Sequence, residues 1–396
     1  LGSLGGLAMH NIGYEMKKII TNRLTIYIFA ITFLINGFVI AKKPSTIRNY
    51  YDNKSAYDEM YQYLGGNITE EKVSYVTEKY EELYAKSMSR TLSTEYDDSL
   101  RTGYETTELS LYSEMYKKYQ YILNYSDNIE NVRSACEENS VFYDSTGNKA
   151  LKNYNRSILN TYNHRDIKDF RETKNWKYYL EYSFSNLCIL ITILCALKGI
   201  FSNERETNMS MMIITCRYGK SRCFVSKITA GIIIALGITA AFIIEDFVMF
   251  NVTFGYKGIM NPVYSIEEMQ YCIYDVSILG YIVILNLFRI AGMLGITSII
   301  LLASAIAQTN LVSVVLSVAG ILPFIILNQQ NIPFNIVRLL QINQDAATFN
   351  SVFVMNRPVI YINYCLVTGI LMSVVFITLA YIVEVHCSTL TGRERV

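Results

Sequence analysis

In this chain of 396 residues, 51% are hydrophobic and only 17% are charged, with a mean hydropathy of +0.22; soluble domains carry about 25% charge, so the composition is that of a polytopic membrane protein. A net charge of +1 and a pI near 7.6 exclude the basic footprint of a nucleic-acid binder, which has a pI above about 9. The eight cysteines and three histidines build no metal or hydrolytic centre, because no cysteine pair reads CxxC and His10, His164 and His386 lie far apart along the chain.

Residues 1–8, LGSLGGLA, are small and featureless ahead of Met9 and read as a non-native remnant. Over residues 9–23, Ile12, Met16, Ile19 and Ile20 recur at helical spacing beside Lys17, Lys18 and Arg23, the pattern of an interfacial amphipathic helix. Residues 24–41 are an apolar run long enough to cross a hydrocarbon core of about 30 Å once. A cleaved signal peptide is the rival reading, but no small-residue cleavage site follows. The expectation is a first transmembrane helix with a cytosolic N-terminus.

Residues 42–177 are polar and charged and contain no apolar run of span length, so a mainly helical extracytoplasmic domain is expected here. Tyr57, Met60, Tyr61 and Leu64 follow i, i+3, i+4, i+7, and Gly65 with Gly66 supplies a stop. Thr69 is placed to cap a second helix, with Glu70 and Glu71 in its first turn and Val76, Tyr80 and Leu83 along one face. A third stripe runs from Leu109 through Tyr112, Met115, Tyr116 and Tyr119 to Ile122. Tyrosine on such faces buries a ring while its hydroxyl stays wet; an aromatic surface for a peptide or amphiphile is the sharper alternative. The domain is expected to hold its own core and to be separable from the spans. Cys136 and Cys272 lie on this side, and a bridge between them needs a Cα separation of about 5.5 Å that sequence does not fix. The four Asn-x-Ser/Thr matches, at Asn53, Asn67, Asn124 and Asn155, are chance in an Asn-rich chain.

Trp176, Tyr178, Tyr179 and Tyr182 form an aromatic belt before the second crossing, 178–201. Residues 202–222 carry Arg205, Arg217, Lys220 and Arg222, and basic excess in a short loop marks the cytosolic side. The third crossing covers 223–250. Glu245 and Asp246 lie near its outer end; an intramembrane ionisable pair is a functional hypothesis by default, but this position favours simple solvation. An outer loop follows, 251–275, and then the run 276–308, too long for one straight crossing and interrupted by Arg289. Either that helix tilts and starts outside the lipid, or Arg289, Gly292 and Gly295 break it. The fifth crossing is 311–328, with Pro323 bending its end. The segment 329–358 contains Pro333, Phe334, Ile336, Leu339 and Leu340 and suggests an outer loop with a short helix dipping into the bilayer. The sixth crossing is 359–384, and 385–396 is a cytosolic tail. The expected fold is thus an all-α membrane protein of six transmembrane helices with both termini inside.

Gly219, Lys220 and Ser221 end like a phosphate-binding loop, but the first glycine of GxxxxGK[ST] is replaced by Ile214 and no nucleotide fold fits in so short a loop. No catalytic constellation is present, so a non-catalytic subunit is expected. Taken together, EMKKIITNR before the first span, FSNERETN after the second, RYGKSRCFVSK entering the third and a dipping helix before the sixth resemble the ABC-2 type ABC transporter permeases. The resemblance covers essentially the whole membrane part; the outer domain is larger than the family minimum, as in several bacterial members that handle peptides or lipids.

The resemblance implies a coupling segment that docks on a separate ABC ATPase, here through Glu204, Arg205, Glu206, Met211, Met212, Ile213, Arg217, Gly219 and Arg222. It also implies ATP and Mg bound by the partner ATPase and not by this chain, a second permease chain, identical or related, and a location in a cell membrane, bacterial in origin. Independently, an apolar Met/Ile ridge with rim charges suits docking into a cleft; the alternative is a segment lying on the inner leaflet. The function expected is export of an amphiphilic cargo such as a peptide, antibiotic or lipid. Two other readings stay open: an extracytoplasmic sensor or resistance module signalling to a kinase, and a six-span secondary transporter, which expects repeats and midplane charges, of which only Arg289 is a candidate.

Overall fold

A computed structural model describes residues 2–42, 54–92, 103–167, 169–209, 219–328, 335–355 and 357–387, and the chain is mostly helical. Among the described residues, six stretches are long and apolar enough to cross a membrane: Arg23–Ala41, Lys174–Glu206, Ser221–Phe254, Ile278–Ile306, Asn310–Asn328 and Tyr361–Val385. These are the first to sixth spans, and they are compatible with a multi-pass membrane protein.

The fourth span is the hub. It packs on the second, third, fifth and sixth spans, and 61% of its apolar window is buried, against 17% for the fifth and sixth. Its 29 residues form one unbroken helix capped by Ser277, whose hydroxyl accepts from the Gly280 amide at 3.2 Å. At 1.5 Å per residue it is about 43 Å long, so it extends beyond a core of about 30 Å. Of the two alternatives, a helix longer than the lipid core and a break at Arg289, Gly292 and Gly295, the first holds and the break does not occur. A Cβ at Gly295 would lie 2.4 Å from Ile336 Cγ2, and one at Gly292 would lie 2.8 Å from Leu340 Cδ2. The glycines therefore admit residues 336–340 against the helix instead of kinking it.

That segment does dip between the spans, though not as the single helix expected. Val337–Leu340 is a 3₁₀ turn and Asn343–Ala346 one helical turn, and an antiparallel ribbon follows, Ser351–Val354 against Arg357–Ile360. Pro333 and Phe334 lie outside the described residues. The dip is pinned by Asn335 Nδ2 donating to Phe324 O at 2.8 Å and by the buried Arg338–Asp345 pair, whose shortest contacts are 2.5 and 2.6 Å.

Two more expectations change. The second span is not one helix: Lys174–Glu181 ends at Tyr182, whose backbone is extended (φ −73°, ψ 116°), Phe184–Leu197 resumes, and Ser202–Glu206 follows a turn. The helix Gly2–Ile20 includes residues 2–8, which were expected to be featureless, and it packs on the third-span helix Gly219–Phe254 through buried Glu15 and Ile19 while Ile20 stays exposed.

On the far side from the N-terminal helix stand the helices Lys54–Leu64, Glu70–Leu92, Gly103–Ser145 and Lys149–Tyr162. Gly65 closes the first by donating to Tyr61 O at 2.9 Å, and Gly66 takes φ +83°, which a side chain would oppose. The short ribbon Gly66–Asn67 with Asp169–Phe170 ties the ends of this region together. Some of its tyrosines are core and others are not: Tyr57, Tyr61 and Tyr119 are buried, with Tyr119 OH donating to Leu64 O at 2.8 Å, while Tyr63, Tyr75 and Tyr84 are exposed. Part of the core is the region's own, Tyr125, Ile129, Cys136, Ile158, Tyr162 and Ile167 closed by Tyr264, and part is shared with the spans. One continuous apolar cluster runs from Tyr57, Leu111 and Phe170 through Trp176 and Tyr179 to Phe250, Tyr281 and Phe288 of the spans.

Polar ties reinforce this. Lys174 Nζ and Tyr57 OH both donate to Glu114 Oε2, at 2.6 and 2.8 Å. Burial pushes the Glu114 carboxyl up, but the ammoniums of Lys118 and Lys174 outweigh it and hold it below its ordinary value. Cys136 and Cys272 are both buried and unbridged, and burial pushes the Cys272 thiol up to about 11, which leaves it protonated and inert near neutral pH.

Candidate functional site

Four spans deliver polar side chains to one buried place. Asn36 comes from the first span, Tyr182 and Ser185 from the break in the second, Glu245 and Asp246 from the third and Arg289 from the fourth. Arg289 Nη1 donates to Asp246 Oδ2 at 2.8 Å and Nη2 to Ser185 Oγ at 2.5 Å. Ser185 Oγ donates to Asp246 Oδ2 at 2.7 Å. Asn36 Nδ2 bridges both carboxylates, at 2.8 Å to Asp246 Oδ1 and 3.0 Å to Glu245 Oε2, and its oxygen accepts from Tyr182 OH at 2.8 Å. Asn36 and Ser185 are fully buried, and Asp246, Arg289 and Glu245 are 2%, 6% and 7% exposed.

Glu245 and Asp246 are therefore not solvated at an interface, as their position near a helix end suggested. They belong to a network about 12 Å along the third-span helix from its end at Phe254. Burying charges is tolerated only when each is paired and hydrogen-bonded, and this network meets that condition incompletely. One guanidinium faces two carboxylates, and Arg289 Nε has no hydrogen-bond partner.

A cavity of about 550 Å³ lies against this network, with Asp246 and Arg289 in its lining. One wall is the broken second span, Tyr179 to Asn186; another is the dip, Leu339 to Asn343; Ile266, Glu268 and Met269 complete it on the side of the helical region. The break explains the opening, since backbone that leaves the helix at membrane depth is accommodated where it faces a cavity. The size falls within the 300–1,000 Å³ typical of small-molecule sites.

The segment expected to dock a partner is placed differently. Glu204 is 9% exposed and ion-paired with Lys227, itself 1% exposed and 5.1 Å from the Phe201 ring centroid. Lys18 approaches Glu204 at 3.5 Å and Glu15 at 3.9 Å. Arg205 pairs with Glu384 and donates to Ala307 O at 2.8 Å. Glu206 accepts from the Asn310 amide at 3.1 Å, completing the start of the fifth span. These three residues brace the chain to itself. Gly219 opens the third-span helix and Arg222 is exposed less than a turn later, whereas Met211, Met212, Ile213 and Arg217 lie outside the described residues. Glu15, Glu204 and Cys223 come within 4.8 Å of one another, but the Lys227 ammonium already supplies the positive charge there, so the cluster reads as an ion-pair brace.

Asn36 and Ser185 escaped sequence reasoning, while Tyr182 read only as part of an aromatic belt and Lys227 only as a basic residue entering the third span. Asn36 had a signal: it is a lone carboxamide in an otherwise apolar span. Comparison with known proteins finds no matching family model, no matching curated protein and no matching solved structure.

Proposed function

We propose that this chain is the membrane permease subunit of an ATP-driven exporter of the ABC-2 type, coupling ATP hydrolysis in separate ABC ATPase subunits to movement of an amphiphilic cargo. The observation that carries the reading is the cavity, apolar along Leu180, Leu285 and Leu339 yet floored by the buried Asp246–Arg289 pair. A site with both characters suits a molecule with an apolar body and a polar head. In this reading the helical region faces outward, both termini are cytosolic, the membrane is that of a bacterial cell, and a second permease chain, identical or related, completes the pathway. ATP and Mg belong to the partner ATPase. Residues 210–218, flanked by the braced Glu204–Glu206 turn and by Gly219 and Arg222, form the docking segment. The brace gives that segment a rigid root through which a push is passed to the second and third spans.

The test is the complex itself. Replacing Met211, Met212 and Ile213 with Asp, and separately reversing Arg217 and Arg222, should each leave a folded chain that no longer co-purifies with its ATPase or stimulates it. Unchanged complex yield and hydrolysis in both variants would remove this reading. Recovery of a histidine kinase in place of an ATPase would favour the sensor reading.

A further inference from the structure

Resting on that reading, we propose that the cavity over Asp246 and Arg289 selects amphiphiles carrying an ammonium or guanidinium group, with Glu181 at its rim as the cation's partner. Five ionisable residues line the cavity: Lys177, Glu181, Asp246, Glu268 and Arg289. Both cations are already taken, Lys177 by Glu268 and Arg289 by Asp246. Glu181 is exposed and makes no salt bridge or hydrogen bond among the described residues; the cation that acts on it is Lys177, four residues earlier and already bridged to Glu268. Glu245, directly behind Asp246, adds a second carboxylate that no cation balances. A cleft lined with excess charge of one sign concentrates ligands of the other sign.

The rest of the wall fits the same ligand. Tyr179 and Tyr182 place aromatic rings beside Glu181, and aromatic faces with a carboxylate are the usual recognition of alkylammonium groups. Two buried polar atoms of the lining have no partner: Asn186 Oδ1, an acceptor, and Arg289 Nε, a donor on a side chain more than nine-tenths buried. The first suits an N–H of the ligand and the second a carbonyl or phosphate oxygen close to its amine. Leu180, Leu285 and Leu340 offer the surface for its apolar body. A cationic lipopeptide and an amino-lipid share this chemistry.

Trp176, the only tryptophan, is buried behind the lining, adjacent in sequence to Lys177 and with its ring 6.3 Å from that of Tyr179, and serves as reporter. The full chain, without ATPase, is placed in nanodiscs of an uncharged galactolipid, which carries no ammonium group, and titrated with a nitroxide-labelled alkyltrimethylammonium, a nitroxide-labelled fatty acid and a neutral nitroxide ester. Saturable quenching by the ammonium probe is expected, at least fivefold tighter than by the other two. Glu181→Gln should weaken the ammonium probe by about fivefold, the worth of one partly exposed ion pair, and leave the ester unchanged; Glu138→Gln, on an exposed helix face, should change neither. Ala347→Phe, which fills the cavity, should abolish saturation for the ammonium probe while the thermal midpoint stays within a few degrees. Displacement by a palmitoylated lysine dipeptide assigns the peptide source, and displacement by added phosphatidylethanolamine assigns the lipid source. Equal, non-saturating quenching by all probes, no effect of Glu181→Gln, or displacement by neither competitor would overturn the proposal. Since no ATPase is present, such a failure leaves the permease reading standing, and loss of ATPase coupling would leave this binding result intact.

Discussion

Around Lys227 the buried charges balance, whereas around Arg289 they do not. In the first cluster two ammoniums, Lys18 and Lys227, meet two carboxylates, Glu15 and Glu204, and the pairs join the N-terminal helix to the second and third spans. In the second, the one guanidinium pairs with Asp246 while Glu245 is met only by Asn36, a donor stays unpartnered, and a cavity adjoins it. The difference teaches how to sort buried charge in one chain. A network whose charges balance is a brace, while an incomplete one beside a cavity is a place for something else to bind.

Breaking the brace is expected to have the largest effect. Lys227→Ala leaves Glu204 buried without its main partner and should cost about 3–5 kcal/mol, seen as a collapse of thermal midpoint and yield; Lys227→Met with Glu204→Gln should recover most of it. A midpoint unchanged by Lys227→Ala would erase the distinction between the clusters. Arg289→Met should cost less, about 2 kcal/mol, because Asp246 keeps Asn36 and Ser185 as donors and lies in the lining of a cavity that can admit water. Equal losses for the two lysine and arginine variants would mean the second cluster is as closed as the first.

Gly295→Ala probes the seat of residues 336–340 on the fourth span. Its Cβ would meet Ile336 Cγ2 at 2.4 Å, so the dip must shift, at about 1–2 kcal/mol of overpacking. A chain as stable as the parent would show that residues 336–340 do not sit against the fourth span.

The smallest effect concerns the helical region. Glu114 is held below its unfolded value of 4.5, so its contribution is present above that pH and is lost as pH falls through the lower folded value. Glu114→Gln should cost about 1 kcal/mol at neutral pH and flatten the acid limb of stability below pH 4.5. An unaltered acid limb would mean that other carboxylates govern it.

The apolar runs made the six apolar helices legible, and stripes such as Tyr57, Tyr61 and Leu64 made the helices between the first and second of them so, because periodicity is local. What stayed hidden depends on distant partners. The break at Tyr182 carries no Gly or Pro, so no local signal marks it. Gly292 and Gly295 read as helix breakers, since nothing in the fourth span reveals that Ile336 and Leu340 will press on them. Glu204 read as surface because charges beside a span are usually wet; its partner Lys227 lies a loop away. Asp246 and Arg289 were singled out separately, but their meeting is a fact of span packing. The outer region looked separable because its stripes suffice for a core, yet part of that core continues into Phe250 and Phe288.

That the Arg289 cluster is a binding place and the Lys227 cluster a brace is tested most directly by thiol accessibility. In a cysteine-free chain in nanodiscs, Ala347→Cys in the cavity wall and Ser202→Cys, whose parent serine is fully buried beside Glu204, are treated with a small charged methanethiosulfonate. Modification of the cavity cysteine at least a hundredfold faster than the other, and slowed by an alkylammonium ligand, is the predicted result. Equal rates at the two positions, or no reaction at Ala347→Cys, would contradict it.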